Sequence, residues 1–239
     1  MKTFSLTDVG RVRESNQDYV YTSESPVGNL PNLFIVADGM GGHAAGDFAS
    51  KYTVEQIVEY IEKAPMTNPI DLIRGAVTKA NGSLMAQARS DASLSGMGTT
   101  VVIATIVGDC MHVANVGDSR LYLLRDELTQ ITRDHSLVQE MVRMGEMDAS
   151  EAKFHPDKNI ITRAVGAFEE LEIDFFEEHV QSGDTILMCT DGLSNMVDDT
   201  EIRQIIQTGR DVVEKVQHLA EAANRGGGKD NITVTVIEI

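Results

Sequence analysis

Leu33-Phe34-Ile35-Val36-Ala37-Asp38-Gly39 sets a short, unbroken apolar run directly against a carboxylate and a glycine. An apolar run of this length containing Phe, Ile and Val predicts a buried strand, because a helix needs roughly twice as many residues. The aspartate then stands where the strand leaves the core.

Further short runs rich in β-branched residues predict strands over 99–107, 111–116, 120–124, 185–190 and 232–239. The last alternates, Ile232, Val234 and Val236 against Thr233 and Thr235, which predicts a strand packed on one side. Apolar residues at helical spacing place helices over 49–63, 71–89 and 210–224, the third ended by Gly226-Gly227-Gly228, with shorter ones over 137–144 and 200–207. The strands come in consecutive groups with hairpin-length connections, and the helices do not alternate with them. That pattern disfavours a doubly wound parallel sheet and predicts an α+β protein of two antiparallel sheets with helices outside. Residues 143–159 are polar and aperiodic, which predicts a flap or loop, taken as 143–165 in all. No repeat or linker divides the chain, so residues 1–239 are expected to form a single domain.

The chain has 37 Asp plus Glu against 20 Lys plus Arg, a formal net charge of −17. A field of that sign repels polyanions, so nucleic acid is not an expected partner. The sequence begins without a charged-then-apolar leader and contains no apolar run long enough to span a bilayer. Cys110 and Cys189 lie in apolar stretches, where reduced, buried thiols are expected. A cytoplasmic protein without membrane partners is the expectation.

The acidic residues become informative by position. Asp38 and Asp191 each end an apolar run and each precede a glycine; Asp118 follows the 111–116 run, and Asp230 precedes the final one. Asp-Gly after an apolar run is also a hairpin-turn signal, and any one such pair taken singly reads more readily as a turn. Several carboxylates at one rim, however, repel each other unless cations sit between them. Oxygen donors select Mg²⁺ or Mn²⁺. Zinc would need cysteine and histidine at ligand spacing, and His43, His112, His135, His155, His179 and His218 are scattered, which predicts surface or packing roles.

The segments 8–18, 36–43, Ser95-Gly96-Met97-Gly98-Thr99-Thr100, Asn115-Val116-Gly117-Asp118-Ser119-Arg120, Cys189-Thr190-Asp191-Gly192-Leu193 and Gly228-Lys229-Asp230-Asn231 together resemble the PP2C-type (PPM family) metal-dependent serine/threonine protein phosphatases, particularly the bacterial branch. The motifs occur in family order and span nearly the whole chain. The resemblance implies a four-layer α-β-β-α sandwich with two metal ions, Mn²⁺ or Mg²⁺, in a cleft at the edge of the central sheets. It further implies that Asp38 bridges both ions, Gly39 offers its carbonyl, Asp191 and Asp230 hold the first ion, and Asp18 holds the second directly or through water. Asp118 with Asp191 resembles a third-metal site beside the flap.

Arg13 matches the family's phosphate-gripping arginine, whose planar fork suits two phosphate oxygens. Asn231 resembles a residue orienting the last carboxylate or a metal-bound water, with a strand-start cap as the other reading. Animal members carry a histidine after the Asp-Gly pair; this chain has Met40, and offset His43 takes no assigned role. The implied activity is hydrolysis of phosphoserine or phosphothreonine by direct attack of a metal-bridging water, on proteins phosphorylated by a serine/threonine kinase, by a monomeric enzyme. A catalytically silent phosphoprotein-binding module and a small-metabolite phosphatase of the same fold are the alternatives.

Overall fold

The computed structural model describes residues 1–42, 45–152 and 155–239, with residues 149–150 described by their backbone alone. His43 therefore lies outside the described residues. In chain order the elements are β1 (Lys2–Asp8), β2 (Asp18–Ser23), β3 (Leu33–Met40), α1 (Ala45–Lys63), α2 (Pro69–Ser90), β4 (Gly98–Thr99), β5 (Val101–Val107), β6 (Cys110–Val116), β7 (Arg120–Leu124) and β8 (Leu128–Gln130). They continue with α3 (Leu137–Arg143), α4 (Ala149–Ala152), β9 (Asp174–His179), β10 (Thr185–Cys189), α5 (Asp191–Ser194), α6 (Asp199–Thr208), α7 (Val212–Arg225) and β11 (Ile232–Glu238).

The strands form two antiparallel sheets: β1-β11-β10-β7-β8, and β2-β3-β5-β6-β9 with β4 paired to β3. Side-chain alternation along β3 shows how the layers are built. Leu33, Ile35 and Ala37 pack towards α1 and α2 with Ile57, Ile61, Leu72 and Ile73. Phe34 and Val36 point the other way, into a second apolar layer shared with Leu121, Ile186, Met188 and Ile237 of the other sheet. A third layer joins that sheet, through Leu187, Val234 and Val236, to α6 and α7. The fold is thus the expected helix-sheet-sheet-helix sandwich.

The four strands that the sequence pattern did not announce, β1, β2, β8 and β9, are the edges of the two sheets. One expectation is corrected: β11 is buried on both sides, with Thr233 and Thr235 as inaccessible as Ile232 and Val234. The threonines face the inter-sheet layer, where Thr235 bonds Ser5 Oγ at 2.9 Å and Thr233 Oγ1 donates to Asp18 and also bonds the Thr7 hydroxyl. Polar alternation here marks a buried hydrogen-bonded face and not a solvated one.

Helix boundaries follow local chemistry. Pro69 begins α2 behind the Asn68 cap, whose side chain accepts from Asp71 N, and Asp211 caps α7 through Glu214 N, with Gly226 at its far end. The 143–165 segment, expected as a loop, contains α4 among turns, and backbone bonds from Leu137 N to Ile160 O and from Thr162 N to His135 O close its base. Neither cysteine is in a disulfide; Cys189 is buried as expected, whereas Cys110 is only half-buried. Among the described residues no helix is long and apolar enough to cross a membrane.

Candidate metal centre

The two sheets bring the five singled-out aspartates to one rim. Asp18 opens β2 and Asp38 lies near the end of β3, where the antiparallel register sets them directly opposite each other. Asp118 follows the end of β6. From the other sheet, Asp191 begins α5 with only Thr190 between it and β10, and Asp230 is separated from the neighbouring strand β11 only by Asn231. Neither Asp-Gly pair makes a hairpin turn: Asp38-Gly39 belongs to a strand and Asp191-Gly192 starts a helical turn.

Each carboxylate is held by residues of other motifs. The Asp38 backbone N–H donates to Thr100 Oγ1 at 3.0 Å, and its carbonyl accepts from Thr100 N and Thr99 Oγ1. Thr100 Oγ1 also bonds Ser119 Oγ at 2.8 Å, tying the Asp38 strand to the Asp118 loop. Asp18 Oδ2 accepts from Thr190 Oγ1 at 2.8 Å and Thr233 Oγ1 at 2.7 Å. Asp191 Oδ2 accepts from Asn195 Nδ2 at 2.9 Å, and Asn195 in turn accepts from Lys158 of the flap segment at 3.3 Å. Thr190, Thr233, Thr100 and Asn195 were not picked out as site residues by sequence reasoning; Thr100 and Thr190 sat inside quoted motifs, which was the available signal.

The glycines serve close packing. A Cβ on Gly39 would lie 2.0 Å from Gly46 O at the start of α1, and one on Gly192 would lie 1.9 Å from Asn231 O. Each Asp-Gly pair thus presses its backbone against another part of the site.

The electrostatics show that the carboxylates share one space. Asp38 is held well above the usual carboxylate range by burial and then by Asp18, Asp191, Asp118 and Asp230. Burial raises Asp18 to about 7, with Asp191 and Asp230 adding to the rise and the two threonine hydroxyls opposing it. Asp118 rises to about 8 through burial and then Asp191 and Asp134. Asp191 rises to about 6 through burial and Asp230, opposed by Arg120, by a hydrogen bond with Asp38 and by Arg13. Arg120 stands behind the cluster, gripped by Asp134 with contacts of 2.6 to 3.0 Å.

A divalent cation fits this environment. Asp18 Oδ1 and Asp191 Oδ1 are buried without a hydrogen-bond partner, and an unsatisfied buried carboxylate oxygen is costly unless a cation takes it. The neighbouring donors are all oxygen, which suits Mg²⁺ or Mn²⁺.

Arg13 reaches the rim from the exposed 8–17 loop, where its Nη2 donates to Asp230 Oδ2 at 2.8 Å. Asp230 Oδ1 accepts from Asn231 N, so that backbone orients the carboxylate. The Asn231 side chain instead staples the loop, accepting from Gln17 N and donating to Val9 O and Ser15 O. Outside this centre, His112, distant in sequence from the other histidines, stands in space beside Cys110 and Glu177.

Comparison with known proteins agrees with the geometry. The protein phosphatase 2C family model matches residues 10–229. The chain is 42% identical over 237 residues to the serine/threonine phosphatase stp of Listeria monocytogenes, covering 97% of this chain and 93% of that protein. It superposes on the crystal structure of the Mycobacterium tuberculosis serine/threonine phosphatase PstP/Ppp with a TM-score of 0.91 at 37% identity, covering 100% and 98% of the two chains. A PstP catalytic-domain structure in complex with two manganese ions is similar at TM-score 0.87 and 36% identity, over 99% of this chain and 97% of that one.

Proposed function

Since the chain belongs to the protein phosphatase 2C family and is a metal-dependent protein serine/threonine phosphatase, we propose that hydrolysis takes place at the five-aspartate rim and that these residues divide the work. Asp38 would be shared by two Mg²⁺ or Mn²⁺ ions, Asp191, Asp230 and the Gly39 carbonyl would hold the first, and Asp18 would serve the second. Asp118, with Asp191, offers a place for a third. What such a pair supplies when bound is the acidification of water to a nucleophile at neutral pH.

The chain's own residues provide the rest. Thr190 and Thr233 occupy one oxygen of Asp18 and leave the other buried without a hydrogen-bond partner. Arg13, at the solvent edge, binds two phosphate oxygens of a phosphoserine or phosphothreonine and offsets the charge of the carboxylates. Direct attack of a water at phosphorus breaks the bond to the side-chain oxygen, which takes up a proton from that water, and releases the serine or threonine hydroxyl and inorganic phosphate. Phosphoproteins made by a serine/threonine kinase are the substrate class, and a monomeric, cytoplasmic enzyme is part of the same reading.

The observation that carries this assignment is that the Asp38 carboxyl feels all four other aspartates at once. Phosphate release from a phosphothreonine peptide should require Mn²⁺ or Mg²⁺, cease with chelator and exceed release from sugar phosphates. Asp38→Ala and Asp191→Ala should lose turnover while keeping the far-ultraviolet circular dichroism of the parent; full activity in either would overturn the assignment.

A further inference from the structure

Cys110 and His112 alternate along β6, so their side chains leave the same face of the sheet. Across the ladder to β9, Glu177 stands directly opposite His112 and His179 opposite Cys110. Four residues of ligand type thus occupy neighbouring positions on one face of an edge strand and its partner. Cys110 Sγ, His112 Nδ1 and a Glu177 carboxylate oxygen all lie within 4.8 Å of one another.

His112 Nδ1 is buried and lies 2.9 Å from Glu177 Oε1, an ion pair only when the ring is protonated. Donors around a tetrahedral Zn²⁺, at bond lengths of ~2.0–2.3 Å, stand roughly 3.3–3.7 Å apart, a spacing these side chains reach by small rotations. Their chemistry differs from that of the aspartate rim: thiolate, imidazole and carboxylate together suit a borderline transition ion and not Mg²⁺. His179 Nδ1 lies 2.8 Å from Asp109 O, so it donates to that carbonyl and its Nε2 is the basic nitrogen available to a cation. The place is also remote from catalysis. Asp118 is at the opposite end of β6, roughly 20–25 Å away at ~3.3 Å per residue.

We propose that Cys110, His112 and Glu177 form a second metal site that takes Zn²⁺ or a similar borderline ion, with the fourth position filled by His179 or water. Burial, and then the Glu177 and Asp109 charges, hold the Cys110 thiol above its ordinary pKa, so ligation displaces a proton that the free protein retains at neutral pH. The bound ion clips edge strand β9 to β6.

Co²⁺ added to the full chain in excess Mg²⁺ distinguishes this site from the catalytic centre, because only a thiolate ligand gives an intense near-ultraviolet charge-transfer band. The wild type should show the band at one Co²⁺ per chain, Cys110→Ser should lack it, and His112→Ala should weaken Co²⁺ binding about tenfold or more. Manganese-supported phosphatase activity should be unchanged in all. Cys189 is fully buried, so Cys110 is the thiol a reagent reaches. Zn²⁺ should slow alkylation of Cys110 in the wild type about tenfold, a readout that needs no variant. No band in the wild type, a band that persists in Cys110→Ser, or alkylation indifferent to Zn²⁺ would overturn the proposal.

Discussion

Asp18 and Asp38 face each other as directly opposed residues of the β2-β3 ladder, two carboxyl groups where most sheets place complementary or apolar partners. Both are raised from the ordinary value of 3.8, Asp18 to about 7. Asp191 and Asp118 follow at about 6 and about 8. The folded, metal-free chain therefore binds more protons than the unfolded chain from about pH 4 upwards. Its stability falls as pH rises through that window and levels off only above about pH 8. Calorimetry in chelator should show Tm decreasing between pH 5 and 8, and added Mg²⁺ should restore it by an amount that grows with pH. A chelated protein whose Tm climbs across this range would contradict the shared-carboxylate picture.

The Thr190 and Thr233 hydroxyls hold Asp18 without touching substrate. Replacing both with valine removes two hydrogen bonds to a buried carboxylate, and outer partners of metal ligands are commonly worth 10–100-fold in metal affinity. The Mn²⁺ concentration giving half-maximal activity should rise by about that factor, with much of the rate recovered at saturating metal. An unchanged metal dependence would show that Asp18 needs no such support.

Two glycines should respond with opposite signs to the same change. Gly192→Ala places a methyl 1.9 Å from the Asn231 carbonyl oxygen, where only backbone can give way. A loss of about 2–4 kcal/mol, read from the urea midpoint, is expected together with loss of activity. Gly82 is exposed in the middle of α2 with nothing within 4 Å of an added Cβ, so Gly82→Ala should stabilise by about 0.5–1 kcal/mol.

Arg13 separates charge from shape. Arg13→Ala should lower kcat/KM about 10- to 100-fold, as expected for losing a charge-assisted contact of ~1.5–3 kcal/mol. Arg13→Lys keeps the charge but not the fork and should fall between. Steady-state kinetics on a phosphothreonine peptide checks both; equal activity in all three proteins would remove Arg13 from phosphate binding.

The central strands were legible because Leu33–Ala37 and the 99–107 run are apolar on both faces, as strands between two packed layers must be. The edges were not, because β9, Asp-Phe-Phe-Glu-Glu-His, is half wet and balances apolar against charged residues without a clean period. Asp38, Asp118, Asp191 and Asp230 could be read from their place at the ends of apolar runs, and Asp18 only from the motifs. The hydroxyls of Thr190 and Thr233 could not, since their partner Asp18 lies 172 and 215 residues earlier in the chain. Cys110 with His112 escaped for a related reason: a two-residue alternation becomes a cluster only once β9 arrives beside it.

Strand β1 finds its ladder partner in β11, with Lys2 opposite Glu238. During synthesis β1 must wait, unpaired, until β11 has been made. A nascent chain can assemble the α1-α2 side early, but it cannot gather Asp18 with Asp230 until β11 has emerged. A chain broken off before β11 therefore leaves the five-aspartate rim unassembled.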